Sequence, residues 1–205
     1  MKKLLILGAG GQGKVVLDLA LTCEEWDEIS FLDGGKIGEN ILGYPVIGDL
    51  WEHKAFREKY THAIVALGNN EVRLKLIEEL LEIGYEVPTF IHPSAIVSRF
   101  STIGIGTIVM PQAAINVSAY VGKGCIVNTG VIIEHDCQIG DGVHLSPSAT
   151  LGGTVSVGDK SWICLGAKVI NNITIGKNAT IGAGAVVIEN IKDETLVVGV
   201  PAQIK

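Results

Sequence analysis

The chain has 205 residues, 47% of them hydrophobic, with 22 acidic against 16 basic side chains and a formal net charge of −6. That length buries a core for one large or two small domains. The acidic balance and the lack of a basic cluster argue against nucleic acid as a partner, and no apolar run approaches the ~18 residues of a membrane span.

Lys3–Leu7 is a short apolar strand that runs straight into Gly8-Ala9-Gly10-Gly11. It therefore reads as a buried first strand and not as the apolar region of a signal peptide. A helix is expected from Lys14 to about Thr22, a second strand over Ile29–Leu32 ending at Asp33, a helical stretch over Leu50–Lys59 and a third strand over Ala63–Leu67. Glu71–Ile83 is an amphipathic helix, with Leu74, Ile77, Leu81 and Val72, Leu76, Leu80 at helical spacing, and Gly84 stops it. Alternating strands and helices predict a small parallel α/β domain over residues 1–88, about half of a dinucleotide-binding (Rossmann-like) fold.

Gly8-Ala9-Gly10-Gly11-Gln12-Gly13 fits a G-x-G-x-x-G turn between strand and helix, with Asp33 twenty residues beyond Gly13. Such a turn holds a phosphate on backbone N–H groups at a helix N-terminus, with the acidic residue on a ribose or base. A nucleotide-linked substrate fits better than NAD, because the α/β part is too short for two mononucleotide halves; a tight turn without a ligand is the third reading. Gly68-Asn69-Asn70 ends the third strand at the sheet edge where ligands bind, and Asn70 also suits the cap of the helix that follows. His53 and His62 stand alone in polar surroundings and read as surface residues.

From Ile91 to Lys192 the pattern changes: seventeen consecutive six-residue blocks each begin with an aliphatic residue, from Ile91, Val97 and Ile103 to Ile181 and Val187. The fifth place of each block is small or β-branched, and Cys125 and Cys137 occupy two of these places as plain core residues. Neither helix nor flat strand has this period; it predicts a parallel β-helix of hexapeptide repeats over residues 89–205. Gly104, Gly122, Gly140, Gly158 and Gly176 lie eighteen residues apart, so three blocks make one triangular coil. Glycine is expected there because a corner needs unusual backbone angles. The four cysteines (also Cys23 and Cys164) show no Cys-x-x-Cys spacing, which fits a reduced, cytoplasmic protein.

Glu134-His135-Asp136 is the densest ionisable cluster on the coil, with His135 at an outward corner. A histidine beside a carboxylate is a general base whose tautomer can be fixed; the plain alternative is a solvated corner. Gly153 lies one coil from His135, roughly 5 Å away, and its N–H could polarise a carbonyl oxygen. His144 lies half a coil from His135, so the two cooperate only across a contact between chains. No metal is expected, since a zinc site needs a third imidazole and His92 sits on the first block.

Taken in order, the glycine turn with Lys14-Val15, Phe31-Leu32-Asp33, Gly68-Asn69-Asn70-Glu71, Asn128-Thr129, Glu134-His135-Asp136-Cys137, His144, Gly153 and Gly199-Val200-Pro201-Ala202 carry a resemblance. Over essentially its whole length the chain resembles the bacterial hexapeptide-repeat sugar acetyltransferases, which include UDP-4-amino-sugar N-acetyltransferases and the sialic acid O-acetyltransferase-like group. The resemblance implies a left-handed β-helix, a homotrimer with active sites between subunits, acetyl-CoA as donor and a nucleotide-sugar on the N-terminal domain. It implies catalysis by His135, Asp136 and Gly153, and contacts to acetyl-CoA from His144, Gly153, Leu165 and Ala183. Substrate contacts would come from Gly10, Gly11, Gln12, Asp33, Asn69 and Asn128. Gln12 replaces a histidine of many relatives and Gly34 a second aspartate of some, which touches the identity of the nucleotide and sugar.

The expected activity is acetyl-CoA-dependent N-acetylation of a nucleotide-linked amino-sugar, at its 4-amino group, for surface-glycan synthesis. Sugar O-acetylation of the sialic-acid type and a non-catalytic nucleotide-sugar-binding scaffold are the alternatives.

Overall fold

A computed structural model describes residues 1–205, which divide into two compact units, Met1–Phe90 and Ile91–Lys205.

In the first unit, strands β1 (Lys3–Leu7), β2 (Glu28–Leu32), β3 (Asn40–Ile41), β4 (Tyr44–Gly48) and β5 (His62–Val65) form one sheet in the order β3-β4-β2-β1-β5. β1 runs parallel to both β2 and β5, and Leu4, Leu5, Ile6 and Leu7 are fully buried. Helices α1 (Gly11–Cys23) and α2 (Asn70–Ile83) follow β1 and β5. Helix α1 starts inside the glycine turn, three residues before the expected Lys14.

Several expectations need correction. Leu50–Phe56 is a 3₁₀ helix capped by Asp49, shorter than the expected Leu50–Lys59. Helix α2 is capped by Asn69, whose side chain accepts from the Val72 N–H at 3.0 Å, and not by Asn70. Asn70 instead accepts from the Arg73 guanidinium at 2.9 Å. His53 is buried at 1% exposure, not at the surface: its ring meets the Leu50 carbonyl at 3.2 Å and Glu79 at 3.4 Å. Its polar sequence neighbours do not reveal which side of a short helix turns inward. The hairpin β3–β4 has no sequence signature, because Leu42 shares its turn with Gly43 and both adopt positive φ (51° and 91°). Leucine is an unusual residue for that conformation.

Glu28 organises the amino-terminal end of the sheet. Its carboxylate accepts from Lys3 Nζ at 2.7 Å and from the Tyr60 hydroxyl at 2.8 Å, and pairs with Lys59 at 2.7 Å. The hydrogen bonds from Lys3, then Lys59 and Tyr60, lower its pKa from 4.5 to about 2.

The second unit is a parallel β-helix. Two-residue strands stack on three faces: face one holds Ile126–Val127, His144–Leu145 and Trp162–Ile163, face two Ile132–Ile133 and Thr150–Leu151, face three Gln138–Ile139 and Ser156–Val157. Pairings up to Val187 join residues eighteen apart, as in Ile133 with Leu151, while the last coil is two residues shorter and pairs Thr180 with Leu196. Block heads from Val109 to Val187 are buried and form one continuous core with the fifth-place residues. Each buried aliphatic head contributes roughly 1.5–3 kcal/mol of burial energy.

The recurring glycines have a different cause from the one expected. Gly104, Gly122, Gly140, Gly158 and Gly176 are not among the positive-φ residues. A Cβ there would lie 2.3–2.6 Å from an atom of the adjacent coil, as at Gly104 (2.5 Å from the Gly122 carbonyl carbon). Positive φ falls two residues later, at the fourth place of every block from Gly106 to Gly184, and there Ser118, Asp136, Thr154 and Lys160 adopt it alongside glycines.

Candidate active site

His135 and Asp136 follow the strand Ile132–Ile133, at the corner between faces two and three. Asp136 occupies the left-handed fourth place (φ 60°), a conformation aspartate tolerates better than most residues. There its Oδ2 lies 2.8 Å from His135 Nδ1. An ionised carboxylate only accepts, so in the neutral imidazole Nδ1 carries the proton and Nε2 keeps the lone pair. Both side chains are about half exposed (51% and 57%), so this lone pair is within reach of a ligand.

The ring lies over Gly153. A Cβ on Gly153 would sit 2.6 Å from both Nε2 and Cε1 of His135. Gly153 accepts from the Asn172 N–H at 3.0 Å, while its own N–H enters no bond of the ladder between coils. A base and an uncommitted backbone donor therefore share one corner. Cys137, next in sequence, points the other way: it is buried, its thiol donates to the Gly152 carbonyl at 3.2 Å, and burial raises its pKa. It is no nucleophile.

The remaining coil residues lie elsewhere. His144 is on face one, its ring stacked on Trp162 with centroids 5.7 Å apart and planes at 8°. Trp162 Nε1 donates to Ser146 Oγ at 2.8 Å, which fixes the indole. Asn128, Leu165 and Ala183 follow strands of face one and line the corner between faces one and two; Leu165 is 60% exposed. Asn128 accepts from the Thr129 N–H at 2.8 Å. Within one chain, the structure thus joins His135, Asp136 and Gly153 at one corner and does not bring His144, Leu165, Ala183 or Asn128 to it.

In the first unit, the glycine turn connects β1 to α1. Gly13 is obligatory, since a Cβ would lie 2.2 Å from the Gly8 carbonyl oxygen. In front of Gly10 and Gly11 the space is open, and α1 begins without a side-chain cap or an acidic residue in its first turn. These are the conditions for an anion at a helix N-terminus. The Gln12 amide nitrogen is buried there without a hydrogen-bond partner. Asp33 braces the turn, accepting from the Ala9 N–H at 2.9 Å and the Gly35 N–H at 3.1 Å.

Two residues that the sequence did not single out complete this region. Lys36 brings its ammonium to the Ala9 carbonyl at 2.8 Å. Arg73, buried at 1% exposure, donates to the carbonyls of Leu67 (2.9 Å) and Gly68 (3.3 Å), holding the turn that carries Asn69. A lysine three residues after Asp33 carries no spacing signal. Arg73 was hidden because arginine on an amphipathic helix reads as solvent-facing.

The PglD N-terminal domain family matches residues 3–80, and the bacterial transferase hexapeptide family (six repeats) matches residues 118–153. A crystal structure of a variant of perosamine N-acetyltransferase from Caulobacter crescentus, in complex with CoA and GDP-perosamine, is 37% identical with a TM-score of 0.95. The alignment covers 100% of this chain and 97% of that one. This chain belongs to the bacterial hexapeptide-repeat sugar acetyltransferases. The acetyltransferase domain of PglB from Neisseria gonorrhoeae FA1090, in complex with acetyl coenzyme A, is 38% identical with a TM-score of 0.94, covering 100% of this chain and 99% of that one. UDP-N-acetylbacillosamine N-acetyltransferase of Bacillus subtilis (strain 168) is 41% identical over 120 residues, 53% of this chain and 51% of that protein. The chain thus spans about half the length of that curated relative. With the family comes the hand of the coil: it is the left-handed parallel β-helix, an exception to the usual right-handed crossover.

Proposed function

We propose that this chain transfers the acetyl group of acetyl-CoA to the amine of a nucleotide-linked amino-sugar, at its 4-amino group. The observation that carries the reading is the His135–Asp136 pair, 2.8 Å apart, with Nε2 over Gly153. The sugar amine attacks the thioester carbonyl carbon, forming the C–N bond, and His135 Nε2 takes the amine proton. Asp136 fixes the tautomer and steadies the imidazolium that forms. The Gly153 N–H stabilises the tetrahedral oxyanion. Collapse breaks the C–S bond and the proton passes to the departing CoA thiolate, with no acyl-enzyme.

His144 contacts the acetyl thioester, and Gly153, Leu165 and Ala183 line the path of CoA. Separation of His144 from His135 within one chain supports a homotrimer with active sites between subunits, each site taking His135 from one chain and His144 from the next. Gly10, Gly11, Gln12, Asp33 and Asn69 hold the nucleotide, with its phosphates at the start of α1, and Asn128 contacts the substrate. Domain boundaries near residue 88 separate these two tasks. Four free cysteines fit a cytoplasmic enzyme, and no helix is long and apolar enough to cross a membrane.

The test is CoA-thiol release from acetyl-CoA with a panel of GDP-, UDP- and dTDP-linked 4-amino-sugars. Turnover with at least one amino-sugar and none with its 4-hydroxy analogue is expected. Release that occurs only with the hydroxy sugars would make the enzyme an O-acetyltransferase instead.

A further inference from the structure

A second feature of the first unit is not accounted for by the phosphate-binding turn. At the carboxyl ends of β1 and β2 lies a hollow of about 390 Å³, lined by Gly8, Asp33, Gly34, Asp49, Trp51 and Leu67 among others. This is the edge at which parallel α/β sheets take their ligands. Trp51 stands on its rim at 53% exposure, with Lys75 Nζ 5.6 Å from its ring centroid. An indole left this open offers a flat apolar face, and an aromatic heterocycle covers such a face by stacking.

The polar wall of the hollow is made of acceptors. Asp49 Oδ1 accepts from the Trp51 N–H at 2.9 Å, so the same carboxylate that lines the hollow also sets the backbone carrying the indole. Its side chain also accepts from the Glu52 N–H in the helix cap, and Oδ2 packs on Gly34, only 1.9 Å from where a Cβ would stand. Gly34 is therefore bare because the Asp49 carboxylate fills that space. Both Asp33 oxygens likewise accept from backbone N–H groups, those of Ala9 and Gly35.

We propose that this hollow seats the nucleobase of the acceptor, stacked on Trp51, and that Asp49 selects guanine over uracil and thymine. Guanine presents two adjacent donors, N1–H and the N2 amine, to a carboxylate that can only accept. Uracil and thymine place carbonyl oxygens on both sides of their single N3–H, and these repel the carboxylate. Adenine offers one amine beside an acceptor and falls between. The assignment rests on the proposed nucleotide-sugar substrate and adds which base it carries and which residues read it.

Binding of GDP, ADP and UDP to the full chain by titration calorimetry tests it, with the Asp49→Asn, Trp51→Ala and Trp51→Phe variants. Asparagine caps a helix as well as aspartate does, so Asp49→Asn removes the acceptor-only wall and keeps the fold. The wild type should bind GDP at least about tenfold more tightly than UDP, and Asp49→Asn should bring that ratio close to one. Trp51→Ala should weaken GDP by about tenfold, in line with the loss of one base stack, and Trp51→Phe should restore most of it. Tighter binding of UDP, an unchanged ratio in Asp49→Asn, or full GDP affinity in Trp51→Ala overturns the assignment while leaving a nucleotide substrate in place. Failure of all three diphosphates to bind the wild type overturns the nucleotide reading itself, and the base assignment with it.

Discussion

The imidazole of His135 occupies the space that a side chain on Gly153 would need: a Cβ there would lie 2.6 Å from Nε2. One glycine thus lets the ring lie flat on the next coil and exposes a backbone N–H beside the basic nitrogen. Gly153→Ala separates this role from folding. Gly153 is not among the positive-φ residues, and the atoms in the way belong to a half-exposed ring that can swing aside. Stability should change by less than about 0.5 kcal/mol, while kcat falls about 10²-fold, the effect of misplacing a reacting group by an ångström. Thermal melting and steady-state kinetics on the same sample check it; normal turnover would mean the ring position is immaterial.

Glu28 gives a pH signature in the first unit. Its folded pKa is depressed from 4.5 to about 2, first by the Lys3 hydrogen bond. A depressed carboxyl contributes stability that is complete above its unfolded pKa and is lost as pH falls through the folded one. Stability of the wild type should therefore drop between about pH 4.5 and 2, and Glu28→Gln should flatten this part of the curve. Urea midpoints measured across that range decide it, equal slopes for the two proteins being the contrary result.

Lys36 brings a positive charge to the glycine turn, fixed on the Ala9 carbonyl at 2.8 Å. Lys36→Met should raise KM for the nucleotide acceptor about tenfold or more, the worth of one charge-assisted hydrogen bond, with KM for acetyl-CoA unchanged. A variant that alters both constants equally would point to a general structural effect.

Much of this molecule is legible in its sequence because the hexapeptide rule repeats without a break, so each block confirms the last. Ile133, Leu151 and Val169 stack as the period demands. What the period does not encode is where the backbone turns left-handed: Asp136, Thr154 and Lys160 do so, whereas Gly104, Gly122 and Gly140 do not. The pairing of His135 with Asp136 is legible because the residues are adjacent, and its support by Gly153 because eighteen residues separate them. Capping by Asn69, burial of His53, the β3–β4 hairpin and the position of Lys36 depend on which way a side chain or loop turns. Local sequence says little about that. The same holds for Trp51, an exposed aromatic with no partner in its neighbourhood of the sequence.

Assembly is tested by complementation. His135→Ala and His144→Ala should each be inactive, and unfolding and refolding them together should restore part of the activity, since some mixed sites keep both histidines. Cyclic symmetry permits such head-to-tail sharing. If mixed trimers form and remain inactive, the two histidines do not serve one site.

The base itself is the central claim, and His135→Ala measures it most directly. Steady-state turnover and acetyl-CoA binding are determined on wild type and variant with the acceptor found in the thiol-release assay. The account predicts a kcat lowered by about 10²–10⁴-fold, the range for loss of a general base, with acetyl-CoA affinity retained. Turnover within a factor of about three of wild type, well outside that range, would remove His135 from the mechanism and contradict the account.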